Sequence, residues 1–421
     1  MIAMSTERLY DADPYLRAFD ALVTEARPAD AAGKILVVTD RTAFFPEGGG
    51  QSPDGGTLAG FPVTDVQLRP DGGVVHTVEI GQGGAAAGAA AGATAGANAE
   101  AAAVAGGIPE ALLPGQTVHG EIDWGHRFSN MQNHTGEHIL SGLMHGQYGF
   151  DNIGFHLSDN SVTLDVNGHL TDEQVRALET AANEVVWRNV PVTARYPDAA
   201  ELETLVYRSK KEIDGPLRVV TVEGVDNCAY CAPHVSRTGE IGLIRIVRVL
   251  RYAGGMRLTI LCGRRALASV QSMQAQAEAV SHLTNSPQEQ IADAAARLLA
   301  EVEAERHHVR ELEERIAQIH LESAPGGNAW VFEKHLSVLP QRALVNALCD
   351  RLPEGGGLCG VFAGEDGSGY MYIAGGRGAD ARTVSGRLRE RLGAKGGGRP
   401  EMVQGSVQAS KEEILRALSE L

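Results

Sequence analysis

The sequence predicts an α+β protein of several domains. We expect a small β-barrel-like domain at the N-terminus, a central α+β domain, a long helical arm and a small C-terminal α/β domain. Three observations carry this prediction. The 421 residues exceed what one hydrophobic core usually holds. Segments rich in β-branched residues before residue 80 give way to mixed patterns after residue 108. Apolar side chains recur at three- and four-residue spacing through residues 264–322.

The first predicted domain covers residues 1–122. KILVVTD at residues 34–40 and GGVVHTVEI at 72–80 have the composition of strands, and FFPEGGGQSPDGG between them is dense in turn-forming residues. In residues 81–107, 22 of 27 positions are alanine or glycine. Alanine favours helix and glycine opposes it, so we expect this insert to form a loop without a core.

The second predicted domain covers residues 123–263. HTGEHILSGLMHGQYG has helical spacing and ends at glycine, and Thr171 with Asp172 should cap a second helix. GLIRIVRVLRY and MRLTILCG should pair across a turn at Gly254 and Gly255.

The remaining residues predict an arm and a third folded domain. Residues 264–322 should be helical, with a break near LTNSPQEQ, where Ser286 would cap the next helix. The arm pairs either within one chain or with a second copy. Residues 323–421, rich in glycine, should form the C-terminal α/β domain.

A metal site is the strongest chemical prediction. His134 and His138 are four apart in a predicted helix and would share one face. About 95 residues later, NCAYCAPHV offers Cys228, Cys231 and His234. Imidazole and thiolate ligands in a tetrahedron are typical of zinc. Four ligands suffice, so we favour His134, His138, Cys231 and His234 and keep Cys228 as the alternative.

Composition limits the function classes. The net charge of −16 argues against broad nucleic-acid binding, and five cysteines do not suggest a disulfide framework. No apolar run is long enough for a membrane span and no signal peptide is visible, so we expect a cytoplasmic protein without a membrane partner. Residues 377–399 hold a local basic excess, which predicts phosphate contacts. The candidate RNA-binding residues there are Arg387, Arg391, Lys395 and Arg399.

Together these motifs resemble the free-standing alanyl-tRNA editing proteins of the long form, relatives of the editing domain of alanyl-tRNA synthetase. The resemblance rests on five segments in the same order. They are FFPEGGGQSPDGGTL, DWGHRFSNMQNHTGEHILSGL, GFHLSDNSVTLDV, CAPHVSRTGEIGLIRI and GGGRPEMVQGS; the last resembles the C-terminal domain that these proteins share with DHH-type phosphoesterases. No aminoacylation domain precedes residue 1, so we expect editing without tRNA charging.

The resemblance implies a zinc-dependent aminoacyl-tRNA hydrolase. Its expected substrates are tRNA(Ala) mischarged with serine and, second, with glycine. The resemblance links the glycine-rich segment to substrate discrimination, and the candidate substrate-binding residues are Gly48, Gly49, Gly50, Gln51 and Thr163. Glu137 and His156 are the candidates for orienting water. In one respect the chain departs from the family. The family usually has its cysteine four residues before the last histidine, where this chain has Tyr230.

Two other functions remain open from the residues alone. The first is a zinc-stabilised RNA-binding protein without hydrolase activity, which a deacylation assay would distinguish. The second is a metallopeptidase, because HTGEH also fits HxxEH with Glu137 as base. That function requires a carboxylate as third ligand, whereas this sequence offers a thiolate. A homodimer through the helical arm or the C-terminal domain is also possible.

Overall fold

The structure is a computed structural model that describes residues 5–80, 103–104, 107–159, 161–209, 217–252, 254–353 and 356–421. The chain divides into two compact units, Met1–Gln276 and Ala277–Leu421. Most of the predicted alanine- and glycine-rich insert, residues 81–107, lies outside the described residues. In the described part, no helix combines the length and the apolar character needed to cross a membrane.

The first unit begins with a closed barrel of six strands in the order β10-β2-β3-β7-β6-β5. Its elements are β1 (Glu7–Arg8), α1 (Leu9–Ala12), β2 (Ala18–Pro28), β3 (Lys34–Thr39), β4 (Arg41–Thr42), β5 (Gly56–Leu58), β6 (Phe61–Leu68), β7 (Val74–Glu79), β8 (Ala103–Val104), β9 (Ile108–Pro109) and β10 (Thr117–Ile122). Alternate side chains of β7 point inward, so Val74 and Val78 are buried in the core of the barrel. The predicted strands at 34–40 and 72–80 are confirmed.

Helices and two further β-sheets follow the barrel in the same unit. These elements are α2 (Trp124–Tyr148), β11 (Asn152–Leu157), β12 (Val162–Val166), α3 (Asp172–Arg188), β13 (Val192–Arg195), α4 (Ala199–Thr204), β14 (Val219–Val222), β15 (Asp226–Ala229), β16 (Ile244–Tyr252) and β17 (Gly255–Cys262). One sheet has the order β11-β12-β17-β16 and a second the order β13-β14-β15. Strands β16 and β17 pair antiparallel, as predicted. The side chains of α2, α3 and both sheets form one apolar core.

Local sequence sets the ends of helices α2 and α3. The Asp123 side chain accepts a hydrogen bond from the backbone N–H of His126 at the start of α2. Gly149 ends α2 in the left-handed conformation with φ of 67°. Thr171 and Gln174 form a reciprocal capping box on α3, so the predicted cap at Thr171 is confirmed.

Two helices follow, α5 (Gly263–Thr284) and α6 (Ile291–Ser323), and the division between the compact units lies within α5. The predicted break between them is present. The predicted cap is wrong, because Gln290 precedes α6 without a side-chain cap and Ser286 is tied to the preceding turn. Its hydroxyl lies 2.7 Å from the Thr284 hydroxyl, and its carbonyl accepts from Ser281.

The second unit ends in a sheet of five strands in the order β18-β19-β20-β22-β21. Its elements after α6 are β18 (Ala329–Glu333), α7 (Val338–Asp350), β19 (Gly357–Glu365), β20 (Gly369–Arg377), α8 (Arg382–Leu392), β21 (Lys395–Arg399), β22 (Met402–Val407) and α9 (Lys411–Leu418). Two apolar cores contain residues of this sheet, one with α7 and one with α8 and α9. The mixed α+β class is therefore confirmed, and the boundaries of the four predicted domains remain predictions.

Candidate metal centre

Helix α2 places two histidines at the centre of the first unit. His134 and His138 are both fully buried, and their ring centroids are 5.6 Å apart. This is the result expected for positions i and i+4 on one helical face. Their burial follows from the position of α2, whose residues from Ser129 to Gly142 are buried all round.

A third histidine comes from the loop after β15. His234 is buried, and its ring centroid lies 4.8 Å from that of His134 and 4.7 Å from that of His138. One donor atom from each of the three lies within 4.8 Å of the other two. The structure therefore brings together three of the four residues predicted to bind zinc.

The outer nitrogen of each ring has an acceptor beside it. Nδ1 of His134 lies 2.8 Å from Gln51 Oε1, and Nδ1 of His138 lies 3.2 Å from Asp226 Oδ2. Nδ1 of His234 lies 3.0 Å from the Thr135 hydroxyl, which itself donates to a backbone carbonyl. Because amide oxygens and carboxylates only accept, each Nδ1 carries the proton and each Nε2 keeps its lone pair. Metal-binding histidines usually have such outer partners.

The protonation states fit a metal. Burial holds the pKa of His234 well below its usual value, with smaller contributions from His138 and His134, so its imidazole is neutral. Nε2 of His138 and Nε2 of His234 are buried without a hydrogen-bond partner in the described residues. Such atoms are costly unless a ligand meets them. The three imidazoles therefore fit a zinc ion, which accepts neutral nitrogen donors.

Neither cysteine belongs to this group. Cys231, which the sequence favoured as third ligand, is exposed and lies in neither potential ligand group among the described residues. Cys228 groups with His138 and Asp226, and not with the other two histidines. The structure does not bring Cys231 to the three histidines, because the chain from Cys228 to His234 is a strand end and a loop, where residue spacing does not fix the direction of a side chain.

Glu137 lies beside the histidine group. Its carboxylate is buried, and its Oε1 accepts hydrogen bonds from the Ser141 hydroxyl at 2.5 Å and from the Asn152 amide. Its other oxygen, Oε2, lies 3.9 Å from His138 Nε2. Hydrogen bonds therefore hold Oε1 in place, while Oε2 faces Nε2 of His138, the nitrogen on the inner side of that ring.

Asp226 is a neighbour that sequence reasoning missed. Burial opposes its ionisation, yet the hydrogen bonds from His138 and Arg208 hold its pKa below the usual value. The Arg208 guanidinium meets both carboxylate oxygens at 2.7 Å. Asp226 is therefore an anion that orients His138. An aspartate two residues before a candidate cysteine was a weak signal, because only the fold reveals the helix it faces.

Two predicted site residues are not at the centre. Phe155 of β11 packs 4.9 Å from the His134 ring, and successive residues of a strand alternate between faces. His156 therefore points away, and it is exposed. Thr163 lies directly opposite His156 in the register of β11 and β12, so it shares that outer face. The structure thus does not bring either residue to the histidine group.

The glycine-rich segment of the barrel does reach the centre. Gly49 has φ of 60°, and a Cβ there would lie 2.7 Å from the Tyr230 ring. At Gly50, with φ of 83°, a Cβ would lie 2.3 Å from the Phe155 carbonyl oxygen. Gln51 follows and holds His134. Only glycine permits both the conformation and the approach at 49 and 50, whereas a Cβ at Gly48 would make only ordinary contacts, the nearest at 3.8 Å.

A buried ion pair fixes this segment against α2. Arg127 of α2 is fully buried, and its Nε lies 3.0 and 2.9 Å from the two carboxylate oxygens of Asp54. Its remaining nitrogens donate to the carbonyl oxygens of Pro14 and Ala43. Asp54 also accepts from the backbone N–H of Phe45. The barrel loop and the helix that carries His134 are therefore held as one structure.

The four predicted RNA contacts lie in the second unit. Arg387 and Arg391 are on α8, while Lys395 and Arg399 are at the two ends of β21. Every residue of this edge strand is exposed. Glu420 lies 3.2 Å from Arg387 and 3.6 Å from Arg391, so it offsets part of the charge.

Known proteins are similar to this chain along most of its length. The family model for the "Threonyl and Alanyl tRNA synthetase second additional domain" matches residues 217–258, which include His234. The alanyl-tRNA editing protein AlaX-L of Pyrococcus horikoshii is 26% identical over 418 residues, which cover 97% of this chain and 96% of that protein. This chain is a homologue of the alanyl-tRNA editing proteins.

Alanine–tRNA ligases are also similar. The enzyme of Pyrobaculum calidifontis is 31% identical over 98% of this chain, and that of Methanoregula boonei is 26% identical over 98%. The chain spans 44% of the length of each of these ligases. The homology thus extends from the barrel to the C-terminal sheet, although the matched family model covers one segment of it.

Proposed function

We propose that this homologue is a zinc-dependent aminoacyl-tRNA deacylase that hydrolyses tRNA(Ala) mischarged with serine and, secondarily, with glycine. The observation that carries the proposal is the convergence of His134, His138 and His234, each with its outer nitrogen held by an acceptor. The names of the relatives, an alanyl-tRNA editing protein and alanine–tRNA ligases, support the choice of tRNA(Ala).

The three histidines would hold the ion through their inner nitrogens. When bound, zinc supplies positive charge that polarises an ester carbonyl or lowers the pKa of a water molecule. Gln51, Asp226 and Thr135 keep the three rings in the orientation that this role requires. Because the rings are buried in a rigid core, little reorganisation is needed when substrate arrives.

Glu137 is the proposed general base. Ser141 and Asn152 fix one carboxylate oxygen, so the other is available to take a proton from water at Oε2. The ester of an aminoacyl-tRNA is already activated, so the protein mainly has to position water and stabilise developing charge. A positioned carboxylate beside the imidazoles meets that need.

The proposed selectivity depends on the amino acid's side chain. Serine carries a hydroxyl that alanine lacks. A site that hydrogen-bonds this hydroxyl leaves its own polar groups unpaired with alanine, which costs binding energy. Gly48, Gly49, Gly50 and Gln51 are the proposed substrate-contacting residues, because this loop reaches the histidine group. The basic residues of α8 and β21 are the proposed contacts to tRNA phosphates.

Incubation with Ser-, Gly- and Ala-tRNA(Ala) tests the proposal. The zinc-loaded chain should release serine fastest, glycine more slowly and alanine at the spontaneous rate. Chelator should abolish release and added zinc should restore it. Binding of tRNA without release of any amino acid would instead favour an RNA-binding protein, and would refute the hydrolase.

A further inference from the structure

The donor set of the metal centre differs from the mixed nitrogen and sulfur set that the sequence predicts. Among the described residues, the group that contains His134 and His234 has three imidazoles and no thiol. Cys231 is exposed outside it, and Cys228 forms a separate group with His138 and Asp226. Neither of these two sulfur atoms therefore belongs to the group of three imidazoles.

Tyr230 occupies the space beside the imidazoles. Its ring centroid lies 4.5 Å from that of His134 and 5.5 Å from that of His138, with the rings at 78° and 84°. Its hydroxyl donates to the carbonyl oxygen of Gly49. A Cβ at Gly49 would lie 2.7 Å from the same ring, so the tyrosine and the glycine loop are in close contact. Tyr230 thus packs against two of the imidazoles and closes one side of the centre.

We propose that this chain binds its metal through His134, His138 and His234 alone, with no sulfur ligand, and that Tyr230 is the residue that closes the centre against the glycine loop. The inference rests on the proposed function in one respect, that the centre binds zinc. Three protein ligands with an open fourth position are typical of catalytic zinc sites, whereas structural sites have four protein ligands.

Cobalt replaces zinc for the test because its absorption spectrum reports the ligands. The metal-free chain is titrated with Co²⁺, and sulfur ligation would appear as a charge-transfer band in the near ultraviolet. We expect one equivalent to bind without that band, and Cys228→Ala and Cys231→Ala to leave the spectrum and stoichiometry unchanged. Tyr230→Cys should gain the band, since it puts a thiol beside the imidazoles. Tyr230→Phe is the matched control and should not gain the band.

A charge-transfer band in the unaltered chain that disappears in Cys228→Ala or Cys231→Ala would overturn the inference. So would failure of the unaltered chain to bind cobalt. The proposed function is judged by a different measurement, the release of serine from Ser-tRNA(Ala) by the zinc-loaded chain. A sulfur-free spectrum together with no hydrolysis would refute the function and leave the ligand set intact.

Two other thiols, in the second unit, carry an independent inference. Cys349, in the last turn of α7, and Cys359, on β19, have their sulfur atoms 3.2 Å apart. Cys359 is fully buried and Cys349 is partly exposed. Gly375 of β20 leaves room for the pair, because a Cβ there would lie 2.6 Å from the Cys349 sulfur. The hydrogen bond with Cys359 lowers the pKa of Cys349.

We infer that Cys349 and Cys359 form an intramolecular disulfide when the chain meets a peroxide. The Cys349 thiolate attacks one peroxide oxygen, which forms an S–O bond, breaks the O–O bond and releases one water after protonation. The Cys359 sulfur then attacks the Cys349 sulfur, which forms the S–S bond and releases the second water as the S–O bond breaks. The two sulfurs lose two electrons together, and the peroxide gains them.

Hydrogen peroxide added to the full chain tests this site. The intact mass should fall by two hydrogen atoms, and a non-reducing peptide map should find Cys349 linked to Cys359. Dithiothreitol should reverse both changes. Cys349→Ser and Cys359→Ser should each abolish the link, and Cys262→Ser, at a buried thiol in the first unit, should retain it. Links only between chains, or conversion of Cys349 to a sulfinic acid with Cys359 still a thiol, would overturn the inference.

Discussion

Buried histidines in this chain fall into two kinds. His76, in the barrel, has both ring nitrogens occupied, with Nε2 lying 2.8 Å from the Thr42 hydroxyl and Nδ1 lying 3.1 Å from the Val37 carbonyl oxygen. His138 and His234 instead keep Nε2 without a hydrogen-bond partner among the described residues. A buried histidine with hydrogen-bond partners at both ring nitrogens is typical of a structural role. A buried Nε2 without a hydrogen-bond partner indicates that this nitrogen binds a ligand.

His76 should make the first unit sensitive to acid. Burial lowers its pKa from 6.5 to about 4, so the unfolded chain binds the proton more readily than the folded one. The contribution of His76 to the free energy of unfolding is therefore at its full value above pH 6.5 and decreases as the pH drops to about 4. Below that pH it decreases no further. The expected loss is up to about 3 kcal/mol. Chemical denaturation across this pH range, in chelator, measures it.

His76→Leu should lower stability at neutral pH but flatten the dependence between pH 6.5 and 4. His156→Asn, at an exposed position, is the matched control and should keep the full slope. An unchanged slope in His76→Leu would mean that other groups cause the acid sensitivity.

Gly49→Ala should change the ratio of Ser- to Gly-tRNA(Ala) hydrolysis while zinc content stays at one per chain. The added Cβ would meet the Tyr230 ring at 2.7 Å and would strain a backbone with φ of 60°. The strain is on the order of 1 kcal/mol. Gly146→Ala, at an exposed helical position of α2 where the added Cβ would have no atom within 4 Å, should leave the ratio unchanged. Equal effects of the two substitutions on both substrates would point to a turn without a role in selectivity.

At the residue scale, the sequence could predict which side chains share a face of a helix, because the helical period is regular. His134 and His138 share a face because α2 repeats regularly, and both lie where expected. The predicted cysteine ligand does not reach the histidines in the structure, because the loop that ends in His234 has no regular period. His156 and Thr163 lie away from the histidines because a strand turns neighbouring residues to opposite faces, and nothing in the sequence shows which face meets the histidines. Gln51 was found through a resemblance, since 83 residues separate it from His134.

Among the elements, α2 connects the candidate centre to the barrel. The Arg127 side chain and the Asp54 carboxylate are both fully buried. Removing one partner of a buried pair leaves an uncompensated charge in the core, which usually costs about 3–5 kcal/mol. Arg127→Ala should therefore lower the free energy of unfolding by that amount, measured by chemical denaturation of the metal-free chain.

Arg41→Ala is the control for a pair at the surface. Arg41 lies 3.6 Å from Glu7, and both side chains are about half exposed. Exposed pairs contribute about 0–1 kcal/mol, so the control should change stability little. A similar small effect of Arg127→Ala would contradict the role given to the buried pair.

Elements with strong local signals were predictable, and those set by tertiary contacts were not. The capping box at Thr171 and the pairing of β16 with β17 follow from residues close in sequence. The cap predicted at Ser286 failed, because its hydroxyl and carbonyl are taken by Thr284 and Ser281. The closure of the barrel needs β10 to pair with both β2 and β5, which no local pattern specifies.

For the whole molecule, the net charge is −16, so the basic residues of α8 and β21 form a local positive excess in an acidic chain. If they contact tRNA phosphates, changing Arg387, Arg391, Lys395 and Arg399 together to Gln should weaken tRNA binding. The dependence of affinity on salt should also become shallower by about 0.7–0.9 per lost contact. Binding titrations at several salt concentrations measure both quantities.

Arg69→Gln is the control, because Glu25 and Asp71 already neutralise that guanidinium. It should leave tRNA affinity and the salt slope unchanged. If the fourfold variant behaves like this control, the surface formed by α8 and β21 does not bind tRNA.

The most direct test of the central claim compares the unaltered chain with His234→Ala. Bound zinc and the initial rate of serine release from Ser-tRNA(Ala) are measured on the same preparations. We predict that the unaltered chain holds one zinc and hydrolyses the ester, and that the variant loses both together because two imidazoles cannot retain the ion. Hydrolysis by the zinc-free variant at the unaltered rate would contradict the account.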